Sequence, residues 1–358
     1  MSKFHSLSVA RVAPETRDAV VVTFDVPPEH REAYRYEAGQ HLTIRADIEG
    51  EEVRRSYSIC SAAQDQTLRV AIKRIDDGLF SSWAFEHLKP GITLDVMEPS
   101  GHFSVPLEPE AQRHHVAFAA GSGITPILSL IKTILKAEPL SRFTLVYGNR
   151  ASSSVIFKDE LADLKDRYMG RFNVVFILSR EHQDVDLFNG RIDAEKCEAL
   201  LKQWVNPEDI DVAYICGPQV MMEQVRDSLV ANGVPKASVK LELFGTAMNG
   251  AARKPRVAVI KGEAGCEVTV IHDGRSQQFS LKKNGLSLLD AALSQGIELP
   301  YACKGGVCGT CRCKRLSGEV DMDANYSLED YELARGFILS CQSFPVSDRL
   351  TLDFDQET

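Results

Sequence analysis

The sequence has no run of about eighteen apolar residues, so no membrane-spanning helix and no membrane partner are expected. It also lacks an excess of positive charge. Its 41 Lys and Arg stand against 50 Asp and Glu, for a net charge of −9. A nucleic-acid partner requires a basic patch, so none is expected. The first residues, Met1 to Ser6, carry no long apolar core of the secretory kind. The nine cysteines show no framework typical of a small secreted domain, which points to a reducing compartment and a cytoplasmic protein. With 44% hydrophobic and 25% charged residues, the composition is that of an ordinary globular protein. A length of 358 residues suggests two or three domains.

The acidity is uneven. Residues 259–358 hold 10 Lys and Arg against 15 Asp and Glu, so −5 of the −9 lies there. Such a surface either steers a basic partner protein or simply aids solubility. The same stretch contains Cys303, Cys308 and Cys311, spaced C-x4-C-x2-C, and a fourth thiol at Cys341. That spacing matches the plant-type [2Fe–2S] ligand set. Two sulfide-bridged irons need four thiolates; one loop supplies three and a distant segment supplies the fourth. Gly305, Gly306 and Gly309 suit a loop whose N–H groups approach the sulfurs. A structural zinc site is the alternative use of four cysteines. Cys313 does not fit the spacing and reads as packing.

Residues 1–105 contain short β-rich runs at 6–12, 19–26, 41–46, 54–60, 68–73 and 93–97, separated by Gly, Pro and Asp turns. That density predicts an antiparallel β-barrel. Arg55 and Tyr57, two apart on one strand, share a face. A helix is expected over 82–88 after Gly78, with an N-terminus able to bind phosphate. Residues 106–245 alternate apolar strands at 116–120, 143–147, 172–178, 212–216 and 239–244 with helices at 126–137, 157–168, 194–203 and 219–232. This predicts an α/β domain with a parallel sheet and ligands at the strands' carboxyl ends. The first such end carries Gly121, Gly123, Thr125 and Pro126, where the glycines allow close approach of a pyrophosphate and Pro126 suits the first helical turn.

Residues 246–256 read as a linker. Residues 257–358 then hold strands at 257–260, 267–272 and 276–280, a turn at Asp273-Gly274, a helix at 286–295, the cysteine loop, and a short helix starting at Tyr326. The expected fold is therefore multidomain: an antiparallel β-barrel that could hold a flavin, an α/β nucleotide domain with a parallel sheet, and an α+β domain whose strand, turn, helix and cysteine loop resemble a plant-type ferredoxin (β-grasp).

The segment Arg55-Ser56-Tyr57-Ser58, the loop Gly121 to Pro126 and the strand end Cys216-Gly217-Pro218 together resemble the ferredoxin–NADP reductase superfamily. The resemblance implies that Tyr57 packs on a flavin ring, Ser58 hydrogen-bonds the flavin and Arg55 holds its phosphate. It places Val70, Ile72 and Lys73 on a second flavin-contacting strand, Ser81 at a pyrophosphate, and Cys216 beside a nicotinamide. It implies that Ser179 and Arg180 hold a 2′-phosphate, with Arg150 a second candidate, which favours NADPH over NADH. Phe244 either covers the flavin or belongs to the core. FAD is favoured over FMN by resemblance alone.

The order flavin, nucleotide, cluster is similar to the reductase components of bacterial multicomponent oxygenases. The stretches Phe4 to Ala10, Ala38 to Thr43, Leu299 to Cys308 and Asn325 to Glu329 resemble, among these, the reductase subunits of phenylacetyl-CoA epoxidases. That likeness implies an NADPH-dependent oxidoreductase passing electrons singly to a di-iron oxygenase in phenylacetate catabolism. A reductase of another oxygenase or demethylase, and a redox-sensing or zinc-stapled binding protein, are the alternatives.

Overall fold

The computed structural model describes residues 4–65, 67–244, 265–283 and 285–356. The expected linker at 246–256 and strand at 257–260 lie outside the described residues. The chain divides into two compact units, Phe4–Leu243 and a second from Phe244 onward.

The first unit opens with six antiparallel strands: β1 (Phe4–Thr16), β2 (Ala19–Asp25), β3 (His41–Ile48), β4 (Glu51–Ser58), β5 (Leu68–Lys73) and β6 (Thr93–Met97). Their order is β4-β3-β6-β1-β2-β5, and an Ile59–Val70 bridge joins the two ends into a barrel. β1 runs further than the apolar pattern suggests because irregularities at Val9/Arg11 and Pro14/Thr16 let one strand bend along the barrel. Glu49 and Gly50 both have positive φ, 56° and 83°, the geometry of a two-residue hairpin turn between β3 and β4. Helix α1 (Leu79–His87) lays Phe80 and Ala84 into the barrel core and starts three residues earlier than expected. Gly78 permits that start, since a Cβ there would meet Ser81 Oγ at 2.5 Å.

The same unit continues with β7 (His114–Ala120), α2 (Ile124–Ala137), β8 (Arg142–Asn149), α3 (Lys158–Arg167), β9 (Phe172–Leu178), α4 (Ala194–Gln203), β10 (Val212–Gly217), α5 (Gln219–Ala231) and β11 (Val239–Leu243). All strands are parallel, in the order β11-β10-β7-β8-β9. The chain therefore reverses its direction of travel across the sheet between β7 and β10, and a crevice opens at their carboxyl ends. α2 begins at Ile124, so Pro126 is its third residue rather than its first; a missing N–H is still harmless there, because first-turn donors have no intrahelical partner. α2 is buried along nearly its whole length because the barrel also packs on it. Ser129 Oγ donates to Ser61 O at 2.7 Å, and Ala63 N donates to Thr133 Oγ1 at 3.2 Å.

The second unit contains β12 (Gly265–His272), β13 (Arg275–Lys282), α6 (Leu288–Ser294), β14 (Arg312–Ser317), β15 (Val320–Met322), α7 (Asp330–Ala334), β16 (Phe337–Leu339), β17 (Ser343–Pro345) and β18 (Arg349–Asp353). Its main sheet runs β13-β12-β18-β14-β16, with β12 and β18 parallel. Leu288, Leu289, Ala291 and Ala292 of α6 enter one core with Val268, Leu350 and Cys313, so Cys313 is indeed packing. Asp273 and Gly274, with φ 53° and 68°, make the hairpin turn. The short helix begins at Asp330 instead of Tyr326. Asn325 Oδ1 accepts the N–H groups of Ser327 and Leu328, at 3.3 and 2.8 Å, and holds residues 325–328 out of helical geometry.

Candidate active site and cysteine loop

β4 delivers the barrel's side chains to the crevice. Ser58 is buried, and its Oγ donates to Glu242 Oε2 at 3.1 Å. Tyr57 is half-buried with its ring centroid 5.6 Å from that of Phe80. Burial raises its phenol well above the ordinary range, so it stays neutral. Arg55 is exposed, and its guanidinium donates to Arg54 O at 2.8 Å, which leaves most of its donors open to an anion. The N–H groups of Leu79, Phe80 and Ser81, in the first turn of α1, have no intrahelical partner and suit a phosphate.

The other expected residues of this face lie on β5 and in the first turn of α1. Val70 and Ile72 are fully buried in the barrel core, because alternation along β5 turns them inward; Lys73 is on the other face. Ser81 is buried and its hydroxyl is already used, accepting from Ile75 N and donating to Gly78 O, each at 3.1 Å. Lys73 lies 3.6 Å from Asp18 and would stand 3.7 Å from a Cβ on Gly121, so it faces the nucleotide loop as well as the flavin strand.

At the sheet, Gly121 has φ 55° and its carbonyl accepts from Tyr147 OH at 2.8 Å. Gly123 is also fixed as glycine by packing. A Cβ there would sit 2.1 Å from Cys216 O, so glycine at 123 lets the loop cross the end of β10. Thr125 is buried and donates to Ser122 O at 3.0 Å, closing the loop rather than facing a ligand. Cys216 is buried, with its thiol raised by burial and then by Glu242. Gly217 and Pro218 follow at the N-terminus of α5, where Pro218 is the cap residue. Phe244 is half-buried one residue beyond β11.

Glu242 is the residue that pattern reading misses. It pairs in register with Cys216 and meets Ser58, and burial raises its carboxyl to about 8. The available signal is one acid inside the apolar end of a parallel strand, Leu241-Glu242-Leu243. At the far side of the crevice, Arg150, Ser179 and Arg180 are exposed at the ends of β8 and β9. Backbone bonds from Ser179 N to Asn149 O at 3.0 Å and from Arg180 N to Arg150 O at 2.8 Å bring them together. Asn149 Nδ2 is buried there with no partner among the described residues, a donor that a bound nucleotide can satisfy.

In the second unit, the cysteine loop turns through Lys304, Gly306 and Gly309, all with positive φ. Gly305 does not share that geometry. A Cβ on Gly306 would meet Ala324 O at 2.9 Å, so glycine lets residues 323–328 clasp the loop. The four thiols form two facing pairs, Cys303 with Cys308 and Cys311 with Cys341. The Cys303 thiol is pulled below its ordinary range, first by Cys308 and then, against burial, by the N–H groups of Gly305, Val307 and Cys308. Gly305 N and Cys308 N lie 3.3 and 3.4 Å from Cys303 Sγ. Thr310 Oγ1 and Ser327 Oγ are buried beside the loop without a partner among the described residues. Two thiol pairs beside backbone N–H and hydroxyl donors fit a two-iron cluster with acceptor sulfides.

Family models match all three regions. The oxidoreductase FAD-binding domain matches residues 7–105, the oxidoreductase NAD-binding domain 118–227, and the 2Fe-2S iron-sulfur cluster binding domain 270–346. The chain is 49% identical over 355 residues to a subunit of the 1,2-phenylacetyl-CoA epoxidase of Escherichia coli (strain K12), covering 99% of each chain. The chain belongs to the oxygenase reductase family. Members of this family are NAD(P)H-dependent oxidoreductases with FAD, NAD and 2Fe-2S domains. The ferredoxin reductase component of 3-ketosteroid-9-alpha-monooxygenase from Rhodococcus rhodochrous is 33% identical, covering 97% of this chain and 96% of its own. Among solved structures, phthalate dioxygenase reductase, described as a modular structure for electron transfer from pyridine nucleotides to [2Fe-2S], matches with TM-score 0.60 and 28% identity over 98% of both chains. The barrel, parallel sheet and iron–sulfur domain thus have the order and fold that family membership requires. No helix among the described residues is long and apolar enough to cross a membrane.

Proposed function

We propose that this chain takes a hydride from NADPH and delivers electrons singly to the di-iron oxygenase of a phenylacetyl-CoA epoxidase in phenylacetate catabolism in the cytoplasm. The observation that carries the reading is one chain combining a flavin-type barrel, a nucleotide crevice meeting it at Ser58 and Glu242, and two facing cysteine pairs. The 49% identity over 99% of the chain supports the choice of oxygenase. The domain limits we assign are 1–105 for flavin, 106–245 for nucleotide, 246–256 for a linker and 257–358 for the cluster.

The bound groups supply two-electron acceptance from a nicotinamide and one-electron release through FAD and a [2Fe–2S] cluster. The chain's own residues supply the positioning. Tyr57 gives the flavin ring an apolar, neutral face, and Arg55 with the α1 N-terminus offers donors to its phosphates. Ser58 presents a hydroxyl to the flavin, polarised by Glu242. Below pH 8, a protonated Glu242 adds a proton to this edge without placing a charge there. Cys216, neutral and small, leaves room for a nicotinamide against the flavin, and Gly121, Gly217 and Pro218 line its approach. Lys73 adds a positive charge beside the nucleotide loop, and Gly123 and Thr125 hold that loop in shape. Arg150, Ser179 and Arg180 form a basic, hydroxyl-bearing site for a 2′-phosphate. Phe244 is the candidate flavin cover. Cys303, Cys308, Cys311 and Cys341 would hold the two irons of the cluster, which would supply the one-electron step.

The test is reconstitution with the epoxidase oxygenase and phenylacetyl-CoA. NADPH consumption matched by epoxide supports the assignment. NADPH oxidation coupled only to another oxygenase, such as a steroid monooxygenase, moves the chain to that partner.

A further inference from the structure

Arg180 is followed directly by an acid, Glu181. A carboxylate at that point would compete with any phosphate for the two guanidiniums. It does not do so. Glu181 Oε2 instead accepts two bonds from one residue across the turn after β8, from Ser152 N at 2.7 Å and from Ser152 Oγ at 2.9 Å. Arg150 and Arg180 have no ion pair with any described carboxylate. The turn itself is held by Ser154, whose Oγ accepts from Ala151 N at 3.1 Å and donates to Ala151 O at 2.7 Å.

We infer that Ser152 sets nucleotide specificity by parking Glu181, keeping Arg150 and Arg180 free for the 2′-phosphate. This inference rests on the NADPH reading above. Ser152 acts through Glu181 and need not touch the nucleotide, so it is a positioning residue. The two bonds from Ser152 lead the influences that hold Glu181 below the usual carboxylate range, with Lys158 adding to them, so the parked group is a full anion. Released, that anion swings toward Arg180 and repels a dianionic phosphate, while NADH, which lacks the phosphate, is unaffected.

The test uses the full-length holoprotein, with ferricyanide as acceptor, and three variants. Ser152→Ala removes the hydroxyl bond and leaves Glu181 on the backbone N–H alone, so the KM for NADPH is expected to rise by up to about fivefold, the effect of one charge about 4 Å from another in water, with the KM for NADH unchanged. Ser152→Ala with Glu181→Gln is expected to restore the NADPH value, because the released side chain is now neutral. Glu181→Gln alone is expected to leave it unchanged. A Ser152→Ala variant that alters both KM values equally, or neither, overturns the inference, as does a double variant that fails to recover. Calorimetric binding of 2′-AMP and 5′-AMP to the unmutated protein separates the two claims. Equal affinities for both remove the 2′-phosphate site, and the inference falls with it. Tighter 2′-AMP binding that Ser152→Ala does not weaken refutes only the role of Ser152.

Discussion

Gly123→Ala tests how the crevice is built. The new Cβ would fall 2.1 Å from Cys216 O, 2.6 Å from Cys216 C and 3.1 Å from Gly217 N. Carbon contacts relax at about 3.5 Å, so the loop or β10 must move by more than about 1 Å. β10 cannot yield easily, because Cys216 is laddered to Ala119 on one side and Glu242 on the other. Overpacking of this kind typically costs about 1–3 kcal/mol, and backbone as the struck group puts this case at the upper end. The movement would carry Cys216 and Glu242 with it, and a displacement of about 1 Å at a reacting centre costs roughly a hundredfold in rate. Ferricyanide reduction by NADPH should therefore lose about two orders of magnitude in kcat/KM. Gly121→Ala, whose Cβ would meet only Lys73 Nζ at an ordinary contact of 3.7 Å and whose φ is 55°, should cost only about 1–2 kcal/mol of stability from the left-handed backbone. Wild-type kinetics and melting in Gly123→Ala would refute the account of the crevice.

The remaining predictions concern charge and the cluster. Arg180→Ala should raise the KM for NADPH by about ten- to a hundredfold, the worth of charge-assisted bonds, and that for NADH far less; equal effects would remove the 2′-phosphate role. Cys308→Ser should abolish cytochrome c reduction while NADPH still bleaches the flavin, because hydride transfer precedes the cluster; loss of flavin reduction in a folded variant would reverse that order. Glu242 binds its proton more tightly folded, at about 8, than at its ordinary 4.5. Its contribution to the stability of the flavin-free protein is therefore complete below about pH 4.5 and lost as pH rises through 8. Glu242→Gln should flatten that decline in thermal melts across the same window, and an unchanged slope would show that the carboxyl is not held protonated.

Much of this architecture is legible in the sequence because its signals are local. Strand–helix alternation, the Asp273-Gly274 turn and the cysteine spacing each depend on near neighbours in sequence. What stays hidden depends on contacts made across the fold. β5 reads as a flavin-facing strand, yet barrel closure through Ile59 and Val70 commits Val70 and Ile72 to the core. Gly123 looks like a ligand-facing glycine until the parallel sheet sets Cys216 against it. Glu242 stands 184 residues from Ser58, and no local pattern joins them. Ser81 and Thr125 have the right chemistry for phosphate, but their own loops use their hydroxyls first. The start of α7 falls later than its residues suggest because Asn325 caps the preceding turn, a side-chain bond that propensity does not register.

The central claim is that one chain converts a hydride into single electrons. Anaerobic addition of NADPH to the purified protein, followed in the visible region, tests it most directly. The account predicts flavin bands over a broad iron–sulfur envelope, both bleaching on addition. A flavin spectrum without that envelope, with zinc in place of iron by metal analysis, would contradict it.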